Sequence, residues 1–274
     1  MKILFTILLI IFMPILALST DNQSSKTILV TSSTGALGSA IAKDLAVKGY
    51  DLILLGRDES KLNSLKNLLI KKVKIEVIKF DYSDITSIEL AASSLQDKSI
   101  DGMVLIPPRP VFQNQDIPNP QHWRANFEEV FIAPLELIKL TLSKMKSPAS
   151  IVVISGETSK YYLPSYPNTN VLRLMWSGEI KNLCHQLSDN NIRVNAVSPG
   201  LILTKHHLEK INQRAKLANK SFEDQLAFET KDLPSKKYGT PEDVTSIVHY
   251  LLDNNSKHIN CENIILNGGA NKSY

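Results

Sequence analysis

Apolar residues in this chain follow two rhythms. Short, nearly unbroken runs at Ile28–Val30, Asp51–Leu55, Lys74–Phe80, Gly102–Ile106, Ser150–Ile154, Arg193–Val197 and Asn263–Leu266 read as strands buried on both faces. Between most of them apolar residues recur at the three- and four-residue spacing of amphipathic helices. The alternation predicts an α/β fold, a doubly wound parallel sheet of about seven strands with helices on both faces. Ligands of such sheets bind beyond the carboxyl ends of the strands. Two segments depart from the rhythm. Thr204–Lys237 is polar, helix-rich and free of strand pattern, and its place after the sixth strand suits a lid. The other is the N-terminus.

There, Met1 and Lys2 precede an apolar run, Ile3–Leu18, with no polar face, followed by TDNQSSK. One charge, an apolar stretch of this length and small residues at Ala17 and Ser19 fit an export signal cut after Ser19, or an uncleaved membrane anchor. Both readings stay open, and a cytoplasmic location is the alternative. Residues 20–26 then form a linker, and 27–274 a single domain. With 274 residues, 43% of them hydrophobic, the chain can bury a full core. The formal charge of +4 is spread over lysines scattered among acids, so no nucleic-acid surface is expected. Cys184 and Cys261 are the only cysteines, far apart, and imply neither a disulfide framework nor a zinc site. They read as partly buried structural thiols. His206 and His207 read as solvated loop histidines.

The first strand runs into chemistry. In TILVTSSTGALG (27–38) the strand is followed by small residues and then by the helix-like SAIAKDLAVKG. A strand, a small-residue turn and a helix N-terminus together cradle phosphate, because the backbone can approach closely and the free N–H groups favour negative charge. Gly35 and Gly38 keep a G-x-x-G-x-x-G spacing in which Ser32 replaces the first glycine. The second strand ends at Leu55 and places Arg57 where an adenosine ribose would lie. A guanidinium pairs with a 2′-phosphate, whereas an acid would accept from a 2′-hydroxyl, so Arg57 favours NADP over NAD.

These residues resemble the short-chain dehydrogenase/reductase family. TSSTGALG is similar to its glycine-rich cofactor loop, which implies contacts from Thr31, Ser32, Ser33, Gly35, Leu37 and Gly38 in a Rossmann-type sheet. Asp81 in FDYSD matches the acid after the third strand that usually contacts the adenine. IRVNAVSPGLILT (192–204) resembles the Pro-Gly turn beside the nicotinamide, which implies Pro199, Gly200, Ile202 and Thr204. GTPEDV (239–244) and ILNGG (265–269) match the closing helix and last strand. The resemblance also implies a homo-oligomer built on two long helices, Asn126–Lys144 and Val171–Leu187.

The catalytic positions depart from that family. LIPP (105–108) stands for Asn-Asn-Ala-Gly, Val130 for the catalytic asparagine, and Gly156, just after Ser155, for the serine. Thr169 and Arg173 stand for the tyrosine and lysine of Y-x-x-x-K. A threonine hydroxyl is too weak an acid to replace the tyrosine, and an arginine stays charged, able to hold ribose hydroxyls and an oxyanion but poor at relaying protons. Tyr166 lies at the Y-x-x-x-x-x-x-(K/R) spacing of enoyl-acyl-carrier reductases. A divergent branch similar to 3-oxoacyl-acyl-carrier-protein reductase, with T-N-x-x-R and a proline-rich stretch like PPRP (107–110), matches more of the departures. The candidate catalytic set is Arg173, Tyr166, Thr169 and Ser155, with no metal. The implied function is an NADP-dependent oxidoreductase of a small carbonyl or alcohol, possible substrates including a 3-oxoacyl thioester. A catalytically inactive cofactor-binding or scaffold protein is the alternative.

Overall fold

A computed structural model describes residues 25–110, 119–164 and 166–272. Its strands are β1 (Thr27–Val30), β2 (Asp51–Gly56), β3 (Ile75–Lys79), β4 (Ile100–Leu105), β5 (Met145–Ile154), β6 (Ile192–Pro199) and β7 (Asn263–Leu266). They form one parallel sheet in the order β3-β2-β1-β4-β5-β6-β7. Every apolar run singled out above coincides with a strand, and only Lys74, Phe80 and Ile106 fall one residue outside. The winding direction reverses between β1 and β4, so the loops after these strands diverge and open a crevice at their carboxyl ends.

The runs are unbroken because helices cover both faces. Val30, Val104 and Val152 lie in register and pack against Ile41 and Leu45 of α1 (Ala36–Val47) and Val244 and Val248 of α9 (Pro241–Leu252). Their neighbours Leu29, Met103 and Ile151 point the other way. These meet Ile88 of α3 (Ile85–Ser93), Leu137 of α5 (Ala133–Thr141) and Trp176 of α6 (Pro167–Gln186). Each such side chain, fully buried, contributes about 1.5–3 kcal/mol. α2 (Glu59–Leu69) adds Leu62 and Leu65 to the first face.

Several expectations need correction. The helix expected over 126–144 starts earlier, at Pro120, where Asn119 caps it, and is interrupted. It comprises α4 (Pro120–Phe127), a π-helical turn at Glu128–Ile132, α5, and a final 3₁₀ turn at Leu142–Lys144. α6 also starts earlier than Val171, at Pro167, whose fixed φ suits a first helical turn. Cys184 and Cys261 are not free thiols. The fold brings their Cα atoms to 5.4 Å and joins them in a disulfide between the end of α6 and the entry to β7. Sequence spacing hid this pairing, because its 77-residue separation closes only through the sheet. His206 and His207 are helical, in the first turn of α7 (Lys205–Leu217); His206 is exposed and His207 partly buried.

α7 and α8 (Phe222–Thr230) make up the strand-free insertion. Arg214 of α7 donates Nε and Nη2 to the two carboxylate oxygens of Glu229 in α8 at 2.7 and 2.6 Å. Glu229 also accepts from Gln225 and Tyr238. Burial raises the Glu229 pKa, but these donors outweigh it and hold the group at about 2. Residues 1–19, expected to be a signal or anchor, lie outside the described residues. Among the described residues no helix is long and apolar enough to cross a membrane.

Candidate active site

The loop after β1 is held from below. Ile106 N–H donates to Thr31 Oγ1 at 2.7 Å and Ser32 Oγ donates to the Ile106 carbonyl at 2.9 Å, so the ends of β1 and β4 are laced together. Ser33 Oγ and N–H both donate to the Leu55 carbonyl at the end of β2. Ser32 itself has φ 47°, the left-handed conformation that favours glycine. This accounts for a glycine being usual there in the family resembled, and the hydroxyl's bond to Ile106 helps hold a serine in its place.

Gly38 sits directly against this loop. A Cβ there would lie 2.8 Å from Ser33 Cα and nearer still to the Ser32 carbonyl. No side chain caps α1, nor α5 and α6, whereas side chains cap α2, α3, α4, α7, α8 and α9. The first-turn N–H groups of α1 are thus left for an incoming acceptor. The residues fit a pyrophosphate: a backbone with no room for a side chain, under a helix start that presents uncapped donors. Leu37, partly buried, packs its side chain into the core beside them.

Arg57 is exposed, one residue beyond β2, and forms no ion pair among the described residues. Asp81, after β3, accepts from Ser83 N–H at 3.1 Å and Ser83 Oγ at 3.0 Å. That short turn fixes its carboxylate. On the other side of the crevice Gly200 N–H donates to the Leu266 carbonyl at 2.9 Å, which fixes the Pro199–Gly200 turn against β7. Ile202 is buried and bridges Gly239, and Thr204 caps α7 through His207 N–H.

Ser155, at the carboxyl end of β5, is buried with its Oγ unpartnered among the described residues. The Arg173 side chain comes from α6 and donates Nη1 to the Ile154 carbonyl at 3.1 Å. Its Nε lies 3.6 Å from where a Cβ on Gly156 would stand. Burial, with the Arg109 charge adding, pulls the Arg173 pKa down to about 10. Tyr166 is the residue before α6; its carbonyl accepts from Asn170 N–H at 2.9 Å. The Thr169 carbonyl is approached by Thr158 Oγ1 at 3.4 Å. Arg173, Gly156, Ser155 and the Pro199 carbonyl therefore share one neighbourhood, and Thr169 joins it through Thr158. Tyr166 adjoins the helix that carries Arg173 and Thr169 as the residue before its first turn.

Two residues, Glu157 and Arg109, escaped the sequence reading, and the local geometry of a third, Val130, did too. Glu157 follows Gly156, is partly buried, and accepts from Asn267 Nδ2 at 3.3 Å; burial raises its pKa, against the Asn267 bond. A carboxylate three residues beyond a buried strand was its visible signal. Arg109 lay inside PPRP but was read only as part of a proline motif. Val130 sits in the π-helical turn, a rare geometry frequent at functional sites, and its carbonyl accepts from Trp176 Nε1 at 3.1 Å. No sequence pattern announces such a turn.

Comparison with known proteins places the chain among reductases. A family model described as enoyl-(acyl carrier protein) reductase matches residues 32–271. The 3-oxoacyl-[acyl-carrier-protein] reductase FabG of Rickettsia prowazekii is 28% identical over 250 residues, covering 90% of this chain and 97% of that protein. The NADPH-dependent reductase BacG of Bacillus subtilis is 24% identical over 261 residues, covering 92% of this chain and 100% of that protein. Among solved structures, the L-sorbose reductase of Gluconobacter frateurii complexed with NADPH and L-sorbose superposes with a TM-score of 0.84 at 21% identity. It covers 92% of this chain and 98% of that one, a likeness of fold.

Proposed function

Because the chain belongs to the short-chain dehydrogenase/reductase family, we propose that it is an NADP-dependent oxidoreductase acting on a small carbonyl or alcohol. The observation that carries this reading is the uncapped start of α1 beneath a glycine with no room for a side chain. Thr31, Ser32, Ser33, Gly35, Leu37 and Gly38 would hold the pyrophosphate side of the cofactor, Asp81 the adenine, and Pro199, Gly200, Ile202 and Thr204 the nicotinamide side. Arg57 would pair with a 2′-phosphate, which ranks NADP above NAD. The similarity to an NADPH-dependent reductase and to 3-oxoacyl-[acyl-carrier-protein] reductases supports the same choice and puts 3-oxoacyl thioesters first among substrates.

Bound nicotinamide supplies hydride to a carbonyl carbon. The chain's task is to hold the carbonyl oxygen and deliver a proton. Arg173 stays charged at neutral pH even at about 10, so it stabilises negative charge and holds ribose hydroxyls without relaying the proton. Ser155 and Thr169 offer hydroxyls that orient the oxygen or pass a proton on. Tyr166 is the one phenol of the candidate set and is assigned the donor role. Replacing Tyr166 by Phe should lower kcat by about 10²–10⁴ with NADPH affinity retained. Unchanged turnover would move the donor role to a bound water.

The second reading, a catalytically inactive nucleotide-binding or scaffold protein, is favoured by one observation: Thr169 and Arg173 replace the tyrosine and lysine of the usual motif. NADPH binding without consumption over a broad ketone and thioester panel would establish it. We further propose that the chain is a homo-oligomer, and that residues 1–19 export or anchor it. The Cys184–Cys261 disulfide supports an oxidising compartment. N-terminal sequencing after fractionation tests this, since an intact Met1 on soluble cytoplasmic protein would refute it.

A further inference from the structure

The sulfur pair at the end of α6 has a third neighbour. Cys184 is buried in the last turn of α6, and His185 follows it, exposed, in the same turn. Adjacent residues of a helix ordinarily point apart. Here one ring nitrogen of His185 and the sulfurs of Cys184 and Cys261 all lie within 4.8 Å of one another, so the imidazole turns back over the disulfide. Cys261 reaches them from the sheet. Its N–H donates to the Val194 carbonyl of β6 at 3.0 Å, which fixes the backbone that presents its sulfur. Among the described residues this is the one group of three or more such side chains close enough to hold a metal ion.

What the three groups can bind depends on redox state. A disulfide sulfur is a poor metal ligand, whereas two thiolates and an imidazole are a donor set for tetrahedral zinc. Donors on one zinc stand about 3.5–3.8 Å apart, given its bond lengths to sulfur and nitrogen. Once the S–S bond is cut, side-chain rotation alone brings the sulfurs to that separation, and His185, being exposed, is free to close in. Two thiolates balance the charge of the ion, so no further acid is required. Solvent at the protein surface supplies the remaining ligand.

We propose that in the dithiol state of the chain Cys184, His185 and Cys261 bind one zinc ion, with water as the fourth ligand. The junction between α6 and β7 is then closed by a covalent bond when oxidised and by a metal when reduced. A phosphine reductant breaks the S–S bond and leaves as its oxide, with the oxygen taken from water, and two thiols remain. They release their protons to solvent as zinc binds. In the reverse direction a small-molecule disulfide such as oxidised glutathione takes up two electrons and two protons and becomes two thiols. The protein sulfurs rejoin and zinc is released. None of this depends on the reductase reading.

The test reads the metal directly. The full chain, reduced with a phosphine that is then removed, is titrated with zinc against a chromogenic chelator, and with cobalt(II), whose thiolate complexes absorb strongly. One ion per reduced chain is expected, with a thiolate-to-cobalt band, and no such binding in the oxidised chain. Oxidised glutathione should release the zinc. Cys184→Ser with Cys261→Ser should abolish binding, and His185→Ala should weaken it about tenfold or more. Zinc should also restore the denaturant midpoint that reduction lowers, so a reduced chain that has loosened still reports the site. Absent binding, or equal binding by reduced and oxidised chains, overturns the proposal. So does full affinity in the doubly substituted chain. Unchanged affinity in His185→Ala overturns it as well, since two thiols alone would then be taking up the ion.

Discussion

At the scale of single residues, the site is a set of substitutions made tolerable by local contacts. Ser32 occupies a left-handed position and binds Ile106. Gly156 stands where a serine is usual, although a Cβ there would meet only ordinary van der Waals neighbours, so the missing side chain is not forced by packing. Arg57→Asp should turn cofactor preference from NADP toward NAD by about ten- to a hundredfold, the worth of charge-assisted bonds to one phosphate. The ratio of dissociation constants for NADPH and NADH checks it, and an unchanged ratio would mean that Arg57 stays in solvent.

Glu157 gives a pH signature. Burial raises its pKa in the folded state above the unfolded value. The folded chain therefore holds that proton more tightly, and the resulting stability is fully present below the unfolded pKa and lost as pH rises through the folded one. Glu157→Gln should remove this loss. Denaturant unfolding at several pH values should show the variant gaining on the parent above that range and not below it.

At the scale of elements, strands were the most legible part of the sequence. Runs such as LILL in β2 and IVVI in β5 are apolar on both faces, and only a covered parallel sheet buries both. The cofactor loop was legible because Gly38 packs directly on Ser32 and Ser33 within one short stretch. What stayed hidden depends on distant contacts or on weak patterns. α7 buries only Ile211 and Ala215 fully, too few to mark His206 and His207 as helical. The π-helical turn is stabilised by Trp176, from another helix.

The disulfide joins α6 to the entry of β7. Ser159, Ser177 and Ser198 also hydrogen bond to Asn263 or to one another there. That junction holds the helix carrying Arg173. Reduction, or Cys184→Ser with Cys261→Ser, should lower unfolding stability by roughly 2–4 kcal/mol in denaturant titrations. A thiol assay on the unfolded, unreduced chain should find no free thiol. One or two thiols per chain would contradict the bond.

At the scale of the whole molecule, α6 and the segment before it leave large apolar side chains uncovered on the surface. Val171 and Leu174 are 45% and 60% exposed and lie on one face of α6 with Gly178, whose lack of a side chain permits close approach. Phe127 and Ile132 are also exposed on the neighbouring segment. A second copy of the chain packed on that face of α6 would cover Val171 and Leu174. Leu174→Glu should convert an oligomer to a monomer in light scattering after size exclusion, and a parent chain that is already monomeric would refute the oligomer.

The most direct test of the central claim is the initial rate of NADPH consumption by the purified chain lacking residues 1–19. A panel of 3-oxoacyl thioesters, 3-oxo acids and neutral ketones would be offered at saturating cofactor. The account predicts steady oxidation of NADPH with at least one of them, stoichiometric with alcohol formed, and a large loss of that rate in Tyr166→Phe. Tight NADPH binding with no consumption across the panel would contradict it.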